Sequence, residues 1–113
     1  IGKNIVGAML EGAGFEILDL GVDVAPARFV EAVRTERAGL VCLSALLTTT
    51  MAAMKDTIEA LRAAGVRGRA AVIIGGPPVS QRFADEIGAD AYGDTAAAAV
   101  ALARRLAVAH ERA

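Results

Sequence analysis

Apolar positions recur along the chain at two spacings, and their alternation predicts helices and strands in turn. Ile5, Val6, Met9 and Leu10 fall at helical intervals, and Gly14 is placed to stop that helix. FEILDLG (15–21) reads as a strand ending in glycine. Pro26 suits a first helical turn, with Phe29, Val30 and Val33 as the apolar stripe of the helix it opens. GLVCLS (39–44) is a short continuous apolar run, the pattern of a strand covered on both faces. A helix follows over 48–65, with Thr49 or Thr50 as cap, Met51, Met54, Ile58 and Leu61 on its buried face, and Gly65 at its end. AAVIIGG (70–76) is a third buried strand, SQRFADEIG (80–88) a short helix capped by Ser80, and ADAYGD (89–94) a brief fourth strand. An Ala-rich helix over 95–110 completes the pattern.

Strands alternating with helices predict an α/β fold, a parallel sheet with helices on both faces. The expected architecture is a flavodoxin-like (Rossmann-like) doubly wound sheet forming one domain over 1–113. In that strand order, 2-1-3-4-5, each helix follows a strand, yet nothing stands before the first helix here. The absent strand would lie inside the sheet, and its neighbours would carry unpaired edges in the core. The expectation is therefore a longer natural chain, with about one strand and its loop preceding Ile1.

Composition narrows the function. With 113 residues, 55% of them hydrophobic, the chain is long enough to bury one core and too apolar to be disordered. A net charge of −1 with interspersed signs gives no case for nucleic acid or an anionic membrane. No apolar run approaches a membrane span. Aromatics at 4% leave no stacking platform for bases. The single Cys42 excludes an internal disulfide and suits a reducing cytoplasm. Lying mid-strand, it reads as a small core residue.

Ligands of open parallel sheets bind beyond the carboxyl ends of the strands. Four segments fall there: Ile1–Asn4, Ser44–Thr50, Gly75–Ser80 and Tyr92–Thr95. Gly2 and Lys3 open a helix whose free N–H groups suit an anion or an amide oxygen. SALLTTT (44–50) clusters hydroxyls after a buried strand, and helix capping accounts for them equally well. In IIGGPPVS (73–80), paired glycines admit a close approach and Pro77-Pro78 stiffens the turn. A tight strand–helix connection is the alternative. The usual catalytic sets are absent. His110 sits in a charged helix end, Asp19 and Asp23 read as solvated loop acids, and no His/Cys cluster has metal spacing.

These segments carry a family resemblance over the whole length. The chain is similar to the cobalamin-binding domain of methionine synthase and of the corrinoid proteins of methyltransferase systems. The family's motif is Asp-x-His-x-x-Gly, then Ser-x-Leu, then Gly-Gly. Here Gly2, Ser44-Ala45-Leu46 and Gly75-Gly76 occupy the anchors, with 41 and 28 residues between them. IGKNIV, SALLTTTM and VIIGGPPVS also look like the family.

The resemblance implies that Asp-x-His lies upstream of Ile1, with the His as the lower axial ligand of cobalt. No metal ligand is then expected within 1–113. It implies that the cofactor's benzimidazole leaves cobalt and slides with its nucleotide tail into a slot, base-off and His-on. Thr50 would complete a relay through the Asp to the His. Ser44 would face the freed benzimidazole nitrogen, and Leu46 and Thr48 would line the slot and corrin edge. Gly75 and Gly76 would leave room for the tail beside Pro77, and Tyr92, Gly93, Asp94 and Thr95 would close the far side. Gly76→Val is expected to block tail insertion while leaving the fold largely intact. The implied role is a methyl carrier holding methylcobalamin between donor and acceptor methyltransferase modules, beside an upstream helical cap domain. It would be a component of an enzyme system and not a complete enzyme. Other readings of the same fold are an adenosylcobalamin mutase domain and a cobalamin-sensing regulator. A receiver domain would need an acidic pocket where Ser44 stands, and a flavodoxin would need aromatic walls that this composition lacks.

Overall fold

Val72 and Ile74 point to one side of a sheet and Ile73 to the other, and all three are buried. That placement requires helices on both faces, and the chain supplies them. The computed structural model describes residues 2–15, 20, 24–35, 39–45 and 48–112. In order these form α1 (Gly2–Gly12), α2 (Pro26–Thr35), β1 (Leu40–Ser44), α3 (Thr48–Ala63) and a short 3-10 turn (Arg67–Arg69). β2 (Ala71–Gly75), α4 (Gln81–Ile87), β3 (Ala91–Gly93) and α5 (Ala96–Arg112) follow. The strands are parallel, in the order β1-β2-β3. The α/β class with a parallel sheet is as the alternation requires. The expected strand over 15–21 falls largely outside the described residues, as do Asp19 and Asp23.

One core layer joins Val41, Val72 and Ile74 to Val33 of α2, to Met54, Ile58 and Leu61 of α3, and to Ala84 and Ile87 of α4. The other joins Ile73 and Ala91 to Leu10 of α1 and to Val100 and Ala103 of α5. Pro26 opens α2 as its fixed φ predicts. Gly14 ends α1 at φ +98, with the Phe15 N–H returning to the Leu10 carbonyl at 3.0 Å. Gly65 and Gly88 take the same left-handed conformation after α3 and α4. Ser80 caps α4, its Oγ accepting from the Phe83 N–H at 3.1 Å. Among the described residues, no helix is long and apolar enough to cross a membrane.

Three expectations need correction. α3 begins at Thr48, so Thr49 and Thr50 lie in its first turn and not at the cap. β1 is not covered on both faces: Cys42 is exposed, and the described part of the core layer that α1 and α5 form over Ile73 does not extend to it. Cys42 is therefore no core residue, although the protein around its sulfur desolvates the thiolate and pushes the thiol from 9.0 up to about 11. On the same side of the sheet, the α1 stripe is only half used. Leu10 is buried, but Ile5 is 51% exposed and Met9 40%.

The amino end of the sheet is tied by one arginine. Arg67 donates through Nη1 to the Ala70 carbonyl at 3.0 Å, and through Nη2 to the Gly88 carbonyl at 2.8 Å and Asp90 Oδ2 at 2.9 Å. The same Asp90 oxygen accepts from the Val72 N–H at 2.7 Å, and the Asp90 N–H donates to the Val72 carbonyl at 2.8 Å. This clasp joins the starts of β2 and β3.

Candidate functional site

Parallel pairing fixes what stands at the carboxyl end of the sheet. Ser44 pairs with Gly75, and Gly75 pairs with Gly93. Three residues thus form one row across the three strands, and the row carries a single side chain, the Ser44 hydroxymethyl. Ser44 is exposed, and its hydroxyl is bonded to no described residue. A serine at a strand end with a free donor and acceptor is suited to a ligand nitrogen or oxygen. The resemblance assigns it that type of partner.

The two glycines of 75–76 answer to the protein's own backbone. Gly76 has φ +117, a conformation L side chains rarely adopt. A Cβ built there would fall on the carbonyl of Ala45, and would also lie 2.9 Å from the Ala45 nitrogen. Ala45 is buried, and its N–H donates to the Gly75 carbonyl at 3.1 Å, extending the pairing of β1 with β2 by one bond. Gly76 therefore locks the loop after β1 to the turn after β2. The expectation that Gly76→Val would spare the fold is overturned, because the space a side chain would need is already filled by main chain. At Gly75 a Cβ would lie 2.9 Å from the Gly93 carbonyl oxygen. The turn beyond is closed by the Val79 N–H on the Gly76 carbonyl at 3.0 Å, with the Pro77-Pro78 pair between them and Pro77 exposed.

On the third strand, Tyr92 pairs with Ile74 and packs partly buried against the α2–α3–α4 layer, on the face opposite Gly93. Asp94 is exposed. Thr95 caps α5: its Oγ1 accepts from the Ala98 N–H at 3.0 Å and its carbonyl from the Ala99 N–H at 3.0 Å. The Thr95 side chain is thus taken up as a helix cap, whereas Ser44 is left uncommitted. Thr50 is partly buried and has a bonding partner. Leu46 lies outside the described residues, as do the side chains of Gly2, Lys3, Thr48 and His110; the backbones of Gly2 and Lys3 open α1, and that of Thr48 opens α3.

Among the described residues, no three His, Cys, Asp or Glu side chains gather as a metal site. Among the described residues, the row at the carboxyl end is thus nearly bare, with the Ser44 hydroxymethyl as its single side chain. Sequence reasoning missed two participants, Ala45 and Ala99. Each is the obstacle met by a glycine from another element, and no local pattern marks such a pair.

Comparison with known proteins adds the following. Residues 1–101 match the family model described as B12 binding domain. The chain is 49% identical over 106 residues to dimethylamine corrinoid protein 2 of Methanosarcina acetivorans, an alignment covering 94% of this chain and 49% of that protein. It superposes on a cobalamin-binding protein from Desulfitobacterium hafniense with a TM-score of 0.90 at 40% identity, covering 94% of this chain and 52% of that one. The methanol:cobalamin methyltransferase complex MtaBC of Methanosarcina barkeri gives a TM-score of 0.86 at 36% identity, covering 94% of this chain and 41% of that one. The chain spans about half the length of the curated relatives it matches.

Proposed function

The chain belongs to the B12-binding domain family, and from that premise we propose that it carries a methyl group on cobalamin between methyltransferase partners. The carrying observation is Ser44: an exposed hydroxyl with no described partner, at the carboxyl end of β1 and in register with Gly75. The residues present fit the lower side of a corrinoid. Ser44 Oγ donates to a benzimidazole nitrogen released from cobalt. The half-buried backbone of Gly75, beside Ser44, leaves room for a flat tail, and the buried Gly93 closes the row behind it. The turn at Gly76–Val79 holds that row rigid, and the exposed Asp94 lies beside it. When bound, the corrinoid supplies a cobalt able to accept and release a methyl group. The protein's own residues bind, orient and shelter the tail.

The axial histidine and its aspartate are proposed to lie upstream of Ile1, on a loop that follows a further strand. Among the described residues no strand pairs with the outer edge of β1, and Cys42 is exposed, which supports a strand at that place. Similarity to a dimethylamine corrinoid protein and to a methanol:cobalamin methyltransferase complex supports methyl carriage with separate methyltransferase subunits, over mutase or sensor roles. The helical cap domain stays part of the proposal.

The test is the EPR spectrum of the intact protein with cobalamin reduced to Co(II), recorded with and without ¹⁵N labelling of the protein. A coupling that changes on labelling places a protein nitrogen on cobalt and supports the base-off, His-on state. Coupling only to the cofactor's own nitrogen, or no binding, would sink it.

A further inference from the structure

The three glycines at the carboxyl end differ in what forbids a side chain. At Gly76 both the positive φ and the Ala45 main chain forbid it, and at Gly75 the obstacle is the Gly93 carbonyl. Gly93 is different. It ends β3 without a positive φ, so an L residue fits its backbone. A Cβ there would meet Ala99 of α5, at 3.1 Å from its Cα, 3.1 Å from its Cβ and 3.2 Å from its nitrogen. One of those three atoms is a side-chain methyl, which substitution can remove. Ala99 is buried, and its N–H is bonded to Thr95 at the capped start of the helix. The last residue of β3 is thus packed against the opening turns of α5, and the Thr95 cap moves with Ala98 and Ala99.

We infer that Gly93 is a positioning residue: lacking a side chain, it seats α5 through Ala99 and so sets where Asp94 and the Thr95 cap stand beside the row that would receive the tail. The inference rests on the corrinoid reading above. It gives Gly93 an action through Ala99 in place of direct contact with the cofactor. A methyl at 93 must displace its neighbour by a few tenths of an ångström. The displaced element carries the cap and the adjoining Asp94, both at the sheet's carboxyl end. A ligand whose tail lies along the row feels the change, and one that does not reach it is indifferent. Cobinamide supplies the second case, since it has the corrin ring and cobalt without the nucleotide tail.

The experiment titrates the intact protein with cobalamin and with cobinamide, followed by absorbance. Gly93→Ala is expected to weaken cobalamin binding roughly tenfold and to leave cobinamide within about twofold. Ala99→Val crowds the same contact from the helix side and is expected to produce the same selective loss. Combining Gly93→Ala with Ala99→Gly removes one of the three close contacts, leaving the Cα and nitrogen of residue 99 in place, and should recover part of the cobalamin affinity lost in Gly93→Ala. The helix penalty of the new glycine should appear in thermal unfolding and not in the ratio of the two affinities. Equal losses for both corrinoids, no loss in either single variant, or no recovery in the exchange would each overturn the inference. If the wild type binds neither corrinoid, the corrinoid reading itself fails and the inference falls with it.

Discussion

The two ends of the sheet are built from similar stretches of chain and use their polar groups in opposite ways. At the amino end, one guanidinium and one carboxylate bind the starts of β2 and β3, and Asp90 serves both Arg67 and the Val72 N–H. At the carboxyl end the row Ser44–Gly75–Gly93 presents a single hydroxyl, with no partner among the described residues. At the amino end the carboxylate and both Nη groups bond within the fold, and Arg67 Nε is buried with no partner among the described residues. At the carboxyl end Ser80 and Thr95 cap helices, while the Ser44 hydroxyl is exposed and without a described partner. An exposed hydroxyl left over by the fold supports the proposed binding edge, whereas a buried leftover such as Arg67 Nε faces no solvent-borne ligand.

The contrast can be broken hardest at Gly76, the residue of the carboxyl end that belongs to the fold. Gly76→Val is expected to cost about 3 kcal/mol or more, because a positive φ and a main-chain clash coincide. Chemical denaturation reads this, and a variant as stable as wild type would refute the Gly76–Ala45 lock. Next comes Asp90→Ala, which strands the Val72 N–H and removes one acceptor from Arg67. A loss of about 2 kcal/mol with cobalamin affinity unchanged would sharpen the division between the ends. An equal loss of binding would erase it. The smallest effect on stability is expected for Ser44→Ala, within about 0.5 kcal/mol, since no described hydrogen bond is lost. Its cobalamin affinity should fall by roughly fivefold, one hydrogen bond's worth, measured by titration.

Much of this was legible in the sequence where the signal is local. Pro26, Ser80, Gly65 and Gly88 mark helix ends through their own backbone chemistry, and each stands where its chemistry predicts. The row at the carboxyl end was legible too, because strands that end in Ser or Gly–Gly put those residues at one edge of a parallel sheet. What failed was non-local. Cys42 sits in an apolar run, and a run gives composition without saying whether a neighbouring strand and helix cover it. Arg67 and Asp90 stand 23 residues apart in connections, where an isolated charge reads as solvated. Gly76 was read correctly as a point of close approach, and the group that fills its side-chain direction was beyond the sequence. The approaching group is the Ala45 carbonyl, delivered by pairing across a sheet.

That same carbonyl constrains the protein's history. Every amino acid brings the identical main chain to position 45, so no substitution there can open space for a side chain at 76. Suppressors of a change at 76 have no neighbour to act through, and a lineage that loses this glycine has no single-step way back except reversion. Gly93 and Ala99 face a lower bar, because one of the three atoms that crowd position 93 is a methyl that substitution can remove. A change at 93 thus has a neighbour able to ease it in part, and a change at 76 has none.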